Sequence, residues 1–315
     1  ATKLLINGYA RTGSLKSRIS GKDVDFSAIS RLRIDMFQLY DFNMTRTVEV
    51  DFDVNLHSSD KEIMFTKSNI LIEKNSFQVN GSVSSGNILD LSFTGNNINL
   101  SGIKKYIPLR YLKKLSAYDP AGIMNVQCNF KGLLSRTSNP LMEIAFDVKE
   151  GCVKYKNSPL SINNLSFRGF YTNGSSMMPE TSRLSVSDFE GTFGSSQYKG
   201  SFSLSDFKTM NSTLKLSGRL VPSEIKAFFN LKEISTATGL IDFNLNMTGN
   251  LQKKSKFTLS DLFNFHPEAS LNFKSFSLGL RNDSILFKDA SGDIKIADTV
   301  FANNFKFTFR DQEFE

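Results

Sequence analysis

The chain has 315 residues, which is long for one compact domain and short for three. With two His and two Cys, it has too few ligands for a His-rich metal site or a zinc ribbon, and its two Cys, at 128 and 152, are too far apart for a CxxC redox pair. The net charge is +7, but the basic residues are scattered singly or in pairs, so we expect solvated strand faces and no nucleic-acid partner.

Alternation of apolar and polar residues is the dominant pattern along the chain. In chain order, the apolar members of the main runs are Val48, Val50, Phe52, Val54 and Leu56; Leu89, Leu91 and Phe93; Val126, Cys128 and Phe130; Ile144, Phe146 and Val148; Ile241, Phe243, Leu245 and Met247; and Phe305, Phe307 and Phe309. Successive side chains of a strand point to opposite faces, so each run has one apolar and one polar face. Such one-sided alternation is typical of antiparallel sheets, and the sequence therefore predicts an all-β protein.

Two segments depart from the alternation and predict short amphipathic helices. Residues 102–116 carry apolar residues at helical spacing, although Pro108 interrupts them. Residues 222–234 place Pro222 in a first helical turn. A third, weaker pattern at 259–265 predicts at most one turn of helix before Pro267.

The two helical segments lie at matching places in an internal repeat. Residues 103–109 align with 225–231, and the Gly-bounded strand 122–132 aligns with 239–249. We therefore predict four parts along the chain: the end of a preceding β-unit at 1–60, repeat unit 1 at 61–180, repeat unit 2 at 181–300, and the start of a further strand or unit at 301–315. Periodic β-units stack into extended arrays, and the first residues resemble the middle of a strand, so we expect a piece of a longer protein.

The apolar faces of these strands must be covered, and two short helices cannot cover them all. Two architectures stay open: a closed sandwich, or an extended, strongly curved antiparallel sheet whose groove is partly open. The repeat favours the groove. Its lining would come from the alternating residues Phe52, Val54, Phe93, Phe130, Phe146, Phe243, Leu245 and Phe307.

The order of these elements resembles the AsmA-like family, which includes TamB-type proteins. The resemblance lies in a Gly-bounded strand, a short helix ending near Tyr106-Ile107-Pro108, the strand from Gly122 to Gly132 and a further hairpin, and in the closing strand from Ser161 to Gly169. It covers residues 60–300 in two units and contains no catalytic signature. Members are envelope proteins of bacteria with two membranes, with an inner-membrane anchor and a long periplasmic β-structure.

The resemblance implies a groove-forming sheet, a periplasmic location, and a role in outer-membrane biogenesis or phospholipid transport between the membranes. Phospholipid or another acyl lipid would be the partner. The membrane attachment would come from an anchor in the full-length protein. The alternative is a β-sandwich that recognises glycan or protein at the cell surface, although glycan binders often offer exposed Trp and this chain has none.

No residue pattern points to an enzyme, a cofactor or a metal. Glu49, Asp51 and Asp53 alternate on one strand face, where their oxygens cannot converge on Ca²⁺, so we expect a solvated face. His57 lies beside Ser58, Ser59 and Asp60 without a nucleophile elbow, and His266 precedes Pro267. We expect no catalysis from either. Cys128 continues an apolar run and Cys152 follows a turn glycine; a disulfide between them stays open.

Overall fold

The computed structural model describes residues 4–39, 42–44, 47–101, 117–135, 137–156, 158, 160–229, 231–251, 266–281, 286–310 and 312–315. Its strands are β1 Leu4–Ser20, β2 Asp23–Leu39, β3 Phe42–Met44, β4 Val48–Ser58, β5 Glu62–Ile72, β6 Asn75–Ser84, β7 Ile88–Asn99, β8 Tyr118–Leu133, β9 Leu141–Tyr155, β10 Ser161–Thr172, β11 Arg183–Phe193, β12 Ser196–Ser205, β13 Asn211–Leu220, β14 Ile234–Asn250, β15 Pro267–Leu280, β16 Leu286–Ile296, β17 Val300–Phe309 and β18 Gln312–Phe314. One α-helix is described, α1 at Pro222–Phe229.

The prediction of an all-β, antiparallel fold is confirmed. The 18 strands are assigned to one sheet, and each of β4 to β7 and β11 to β17 pairs antiparallel with the strand that follows it. Short turns join most of these partners, for example Ser85-Gly86-Asn87 between β6 and β7. Local pairing of this kind follows from runs of alternating residues separated by Gly and Asn.

The helix predicted at 222–234 is present but shorter than expected. It ends at Phe229, and the Leu231 N–H donates to the Lys226 carbonyl at 3.0 Å, which closes its last turn. The residues from Ile234 onward form β14, where Ile and Thr favour extended backbone. The predicted helices at 102–116 and 259–265 lie outside the described residues.

The chain separates into two compact units. Unit 1 comprises Ala1–Ser116, Pro120–Val148 and Phe170–Ser182, and unit 2 comprises Ala117–Asp119, Lys149–Gly169 and Arg183–Glu315. The Gly-bounded strands of the proposed repeat fall in corresponding elements, since 122–132 lies within β8 and 239–249 within β14. The repeat boundaries at 60, 180 and 300 stay predictions.

Register breaks recur along the strands of both units. Between β15 and β16 the pairing skips from Phe273↔Gly292 to Phe276↔Ala290, and the residue inside the skip, Ser275, has a positive φ of 47°. Other breaks separate Gly95 from Ile98 in β7 and Val186 from Phe189 in β11. A bulge bends its strand and increases its local twist, so each unit contains the bends that a curved sheet requires.

No helix among the described residues is both long and apolar enough to cross a membrane.

Gly81 in β6 gives a test of how closely adjacent strands approach at these breaks. Its φ is 114°, and a Cβ added there would overlap the carbonyl oxygen of Asp90 on β7. Gly86 in the next turn also has a positive φ, 81°, but an added Cβ would meet open space. We expect Gly86→Ala to lower the free energy of unfolding by about 1 kcal/mol and Gly81→Ala by at least about 2 kcal/mol.

Urea denaturation of the two variants beside the parent chain measures this difference. Both substitutions place alanine at a positive φ, 114° at Gly81 and 81° at Gly86, but only Gly81→Ala adds the overlap with Asp90. The excess loss in Gly81→Ala therefore reports the strand-to-strand contact together with the difference in backbone strain. Equal losses would mean that β6 and β7 are not packed as closely as described.

Candidate functional site

One face of the sheet in unit 1 is apolar across seven successively paired strands, β1, β2 and β4 to β8. Residues directly opposite each other in an antiparallel pair project to the same side. The register joins Ala28, Val54 and Leu15 across β2, β4 and β1, and it joins Phe52, Ile70, Phe77 and Gly95 from β4 to β7. On β8, Phe130 faces Leu91, and Cys128 faces Phe93. We call this side of unit 1, together with its counterpart in unit 2 described below, the apolar face.

The apolar face of unit 1 is covered at only part of its positions. Val48, Val79 and Ile98 are buried. Phe52, Val54, Phe93 and Phe130, which the sequence analysis selected as groove lining, are each half-buried. The rings of Phe93 and Phe130 meet edge to face with centroids 5.7 Å apart. These side chains therefore have apolar neighbours within the sheet but keep part of their surface open.

Phe146 on β9 belongs to the same side. Its neighbour Asp147 accepts a hydrogen bond at 3.0 Å from Asn125 Nδ2, and Asn125 alternates with the apolar-face residues Met124 and Val126 on β8. Asp147 is thus on the polar side, so Phe146 faces the apolar side. Phe146 is also half-buried.

Unit 2 repeats this arrangement on β11 to β17. The register joins Phe202, Leu214 and Met247, and it joins Tyr198, Gly218, Phe243, Leu271 and Ile294 in one row across five strands. The ring of Tyr198 lies 6.0 Å from that of Phe243. The predicted residues Phe243 and Leu245 therefore lie on a shared apolar face.

Burial along this face of unit 2 is lowest in the middle. Met247 is buried in the row that it shares with Phe202 and Leu214, as are Phe193 and Ser196 at one end of the face and Leu204 and Ser212 at the other. Between them Phe202, Leu214, Leu216, Phe243 and Leu245 are all half-buried. In a closed sandwich the middle of the inner face would be the most deeply covered part. The observed order is the reverse.

An aromatic cluster continues the apolar face on β15 to β18. This Phe ladder consists of Phe273, Phe276, Phe287, Phe305, Phe307, Phe309 and Phe314. Ring centroids are 5.4 Å apart for Phe273–Phe305, 5.8 Å for Phe305–Phe307 and 5.2 Å for Phe307–Phe314. Phe287 and Phe314 remain 36% and 44% exposed, so the ladder is a continuous aromatic surface with an open side.

Of the ladder residues, only Phe307 is among those predicted from the sequence to line a groove. Phe305 and Phe309 share its alternation, whereas Phe276 is out of phase with Phe273 by one residue. The bulge at Ser275 restores Phe276 to the apolar face, where its ring lies 5.4 Å from that of Phe273. Phe287 and Phe314 join the ladder through the pairings Phe287↔Phe309 and Phe307↔Phe314. Alternation of apolar and polar residues along one strand does not predict these contacts of Phe276, Phe287 and Phe314.

Cross-strand ion pairs occupy the opposite, polar face in both units. Arg31 binds Asp51 through two hydrogen bonds of 2.7 and 2.9 Å. In unit 2, Asp242 accepts from Arg219 and from Lys274, each at 2.6 Å, and these hydrogen bonds lower the pKa of Asp242 to about 2. The acidic alternation Glu49, Asp51, Asp53 is therefore part of a paired, solvated strand face, as expected. Among the described residues, no group of His, Cys, Asp and Glu is placed to hold a metal ion.

Two shallow depressions in unit 1, of about 480 and 450 Å³, also lie mainly on the polar face. The first is lined by Arg31, Asp51 and Asp53, and the second by Lys16, Asp25 and His57. Both linings also contain apolar residues, such as Ile29 and Leu71 in the first and Phe26 and Leu56 in the second. An acyl chain placed there would also have to desolvate the charged side chains, which the apolar face does not require. The apolar face is therefore the stronger candidate surface, although it is open rather than pocket-shaped.

The two cysteines are both free. Cys128 lies on the apolar face opposite Phe93, and burial raises the pKa of its thiol. Cys152 donates to Asn163 Oδ1 at 3.2 Å. A raised pKa keeps the Cys128 thiol protonated near neutral pH and makes it a poor nucleophile.

Comparisons of the chain with models of known protein families, with curated proteins and with solved structures find no match.

His57 provides a pH test of the polar face. Its Nδ1 lies 2.8 Å from Asp25 Oδ1, and this hydrogen bond, reinforced by the charges of Asp25, Asp23 and Glu62, raises the pKa of His57 above 6.5. A raised pKa means that the protonated form is stabilised in the folded state. The stabilisation is fully present below pH 6.5 and is lost as the pH rises through the folded-state pKa.

NMR titration of the imidazole should give a pKa above that of a solvated histidine, and Asp25→Asn should lower it. His266 offers a second imidazole in the same spectrum. A His57 pKa at or below 6.5 in the parent chain would contradict the described pair.

Proposed function

We propose that this chain is a non-enzymatic, periplasmic part of an AsmA-like envelope protein. In this proposal the apolar face holds the acyl chains of phospholipid during transport between the two membranes and so serves outer-membrane biogenesis. The observation that supports it is the half-open apolar face. In unit 2 it runs in register across five strands, with its middle less buried than its ends.

The physical reason is the free energy of apolar surface. Moving one methylene group from water into apolar surroundings contributes about 0.8 kcal/mol of favourable free energy to binding. Half-buried side chains such as Phe243 and Leu245 still expose apolar area, so an acyl chain lying on them removes water from both partners. A charged or zwitterionic headgroup would stay in water beyond the rim, where its desolvation is avoided.

The continuity of the face favours movement as well as binding. The polar residues of each strand point to the other side, so an acyl chain moving across the row from Tyr198 to Ile294 meets no charged side chain in the register. Successive positions therefore offer similar binding free energies. A lipid on such a surface can shift by one strand spacing without first returning to water.

The first test places a charge on the face. We expect phospholipid to co-purify with the parent chain and to be lost in Phe243→Asp, which puts a carboxylate where acyl chains would lie. The matched control is Asn244→Asp, at the next position of β14, on the exposed polar side. It adds the same charge and should retain the lipid. Native mass spectrometry detects the lipid, and a melting curve reports folding.

A Phe243→Asp chain that melts cooperatively, with a loss of about 1–3 kcal/mol, but carries no lipid supports the proposal. Absence of lipid from the parent chain, together with gross unfolding of Phe243→Asp, would identify this face as the core of a closed sandwich.

The second test uses the absence of Trp from the sequence. Phe287→Trp places a single indole in the Phe ladder, and Phe301→Trp places one on the polar side of β17, where Phe301 is 64% exposed and pairs with Lys295. Vesicles of phosphatidylcholine brominated in the acyl chains should quench Phe287→Trp more strongly. Stronger quenching of the more exposed Phe301→Trp would indicate non-specific adsorption and contradict the proposal.

A further inference from the structure

Helix α1 lies over one end of the apolar face of unit 2. It connects β13 to β14, which pair directly from Asn211↔Asn250 to Leu220↔Ile241. Phe228 is 6% exposed, and its ring packs edge to face on Phe193 at 4.9 Å and against Tyr155 at 5.5 Å. Phe193 and Ser196 face each other at the ends of β11 and β12 and project to the apolar side. The helix therefore covers the end of the same face whose middle is half-open.

Two polar contacts fix the helix, one on each side. Glu224 Oε1 accepts from the backbone N–H of Ser195, in the turn between β11 and β12, at 2.9 Å. The carboxylate packs directly against Gly194, where a side chain would collide with it. On the other side, Lys226 Nζ donates to the carbonyl of Ser235 at 2.7 Å, within the segment that follows the helix. Glu224 therefore ties the helix to the turn between β11 and β12, and Lys226 ties it to β14.

The covered position leaves polar atoms unsatisfied. In the part of the chain that the structure describes, Glu224 Oε2 is buried without a hydrogen-bond partner, and Ser196 Oγ and Tyr198 Oη are buried with no partner beyond the contact between their two hydroxyls. They are close together, because the charge of Glu224 and the hydroxyl of Ser196 both act on the pKa of Tyr198, which burial raises most. Each buried polar atom left without a partner costs about 1–3 kcal/mol, and each would regain hydrogen bonds to water if the helix lifted.

The balance at α1 is therefore between apolar contact, which holds the helix down, and desolvation, which favours lifting it. The apolar contact is made by Phe228 on a surface that an acyl chain could also occupy. From this geometry we propose that α1 is a lid that opens locally from the apolar face. Opening uncovers Phe193, Ser196 and Tyr198 and makes them continuous with Phe243. The role that we give to the lid, admitting an acyl chain to the uncovered strip, depends on the proposed lipid function.

Thiol labelling measures the opening. In a background of Cys128→Ala and Cys152→Ser, three single-cysteine variants are compared. Ser196→Cys lies beneath the lid, Ala290→Cys is buried elsewhere in unit 2, and Ser195→Cys is in the exposed turn. Local opening requires less free energy than unfolding of the unit. Ser196→Cys should thus react more slowly than Ser195→Cys and at least about tenfold faster than Ala290→Cys.

Two further substitutions should shift the Ser196→Cys rate in opposite directions. Phe228→Ala removes the apolar contact and should raise the rate at least about tenfold while leaving the Ala290→Cys rate unchanged. Glu224→Gln keeps an acceptor for the Ser195 N–H but removes the charge of a half-buried carboxylate whose Oε2 has no partner, so the closed lid is favoured and the rate should fall. Equal rates at positions 196 and 290, or an equal rise at both in Phe228→Ala, would show that α1 leaves the sheet only when the unit unfolds and would overturn the lid.

The same assay separates the lid from the lipid function. Phosphatidylcholine vesicles should slow labelling of Ser196→Cys in the Phe228→Ala chain, because an acyl chain then fills the uncovered strip. If the vesicles leave labelling unchanged while they quench Phe287→Trp, lipid binds but not beneath α1, and the admitting role of the lid is wrong. If they affect neither, the proposed function fails, whereas opening measured without lipid still decides whether α1 moves.

Discussion

A sheet with one apolar face must cover that face, and this requirement dominates the structure in both units. On the polar side, charged side chains pair with partners on the neighbouring strand, as in Arg31–Asp51 and Arg219–Asp242. The apolar side has no comparable local solution, because neighbouring side chains on one sheet touch at their flanks and leave their tips open. Within the described residues of unit 2, α1 supplies cover at one end of the face only. The remaining open area is the basis on which we propose that the surface binds acyl chains.

The bulges explain how such a face stays continuous on bent strands. A strand that bends without an extra residue would rotate its side chains away from their row. At Ser275 the extra residue absorbs the bend and returns Phe276 to the side of Phe273. The same device separates Gly95 from Ile98 and leaves Ile98 buried on the apolar face. The bulges therefore allow the strands to bend while their apolar side chains stay on one face.

This also defines what alternation in the sequence could predict. Between bulges, successive side chains alternate strictly between the two faces of the sheet. The alternation therefore places four predicted residues on the apolar face, where the structure has them: Phe52, Phe130, Phe243 and Phe307. Across a bulge the parity resets, and nothing in the sequence near Ser275 marks the reset, since a non-Gly residue adopts the positive φ there. The shorter α1 has a similar cause: an apolar stripe to Ile234 fits a helix, but pairing with β15 takes that residue into a strand. The Phe ladder was missed because its members come from four strands.

The position of α1 shows why covering and binding need not exclude each other. In the proposed lid, contacts of Phe228, Glu224 and Lys226 hold α1 over apolar residues that would otherwise meet water, which would support folding of the unit in the absence of ligand. Its buried Glu224 Oε2 and Ser196 Oγ keep the covered state from becoming too stable. In the proposed exchange, an apolar ligand that replaces Phe228 preserves the burial of Phe193, while the carboxylate of Glu224 leaves with the helix and returns to water. Exchange of one apolar cover for another therefore changes the free energy little, and that near-balance is the property a surface needs if acyl chains are to enter and leave it.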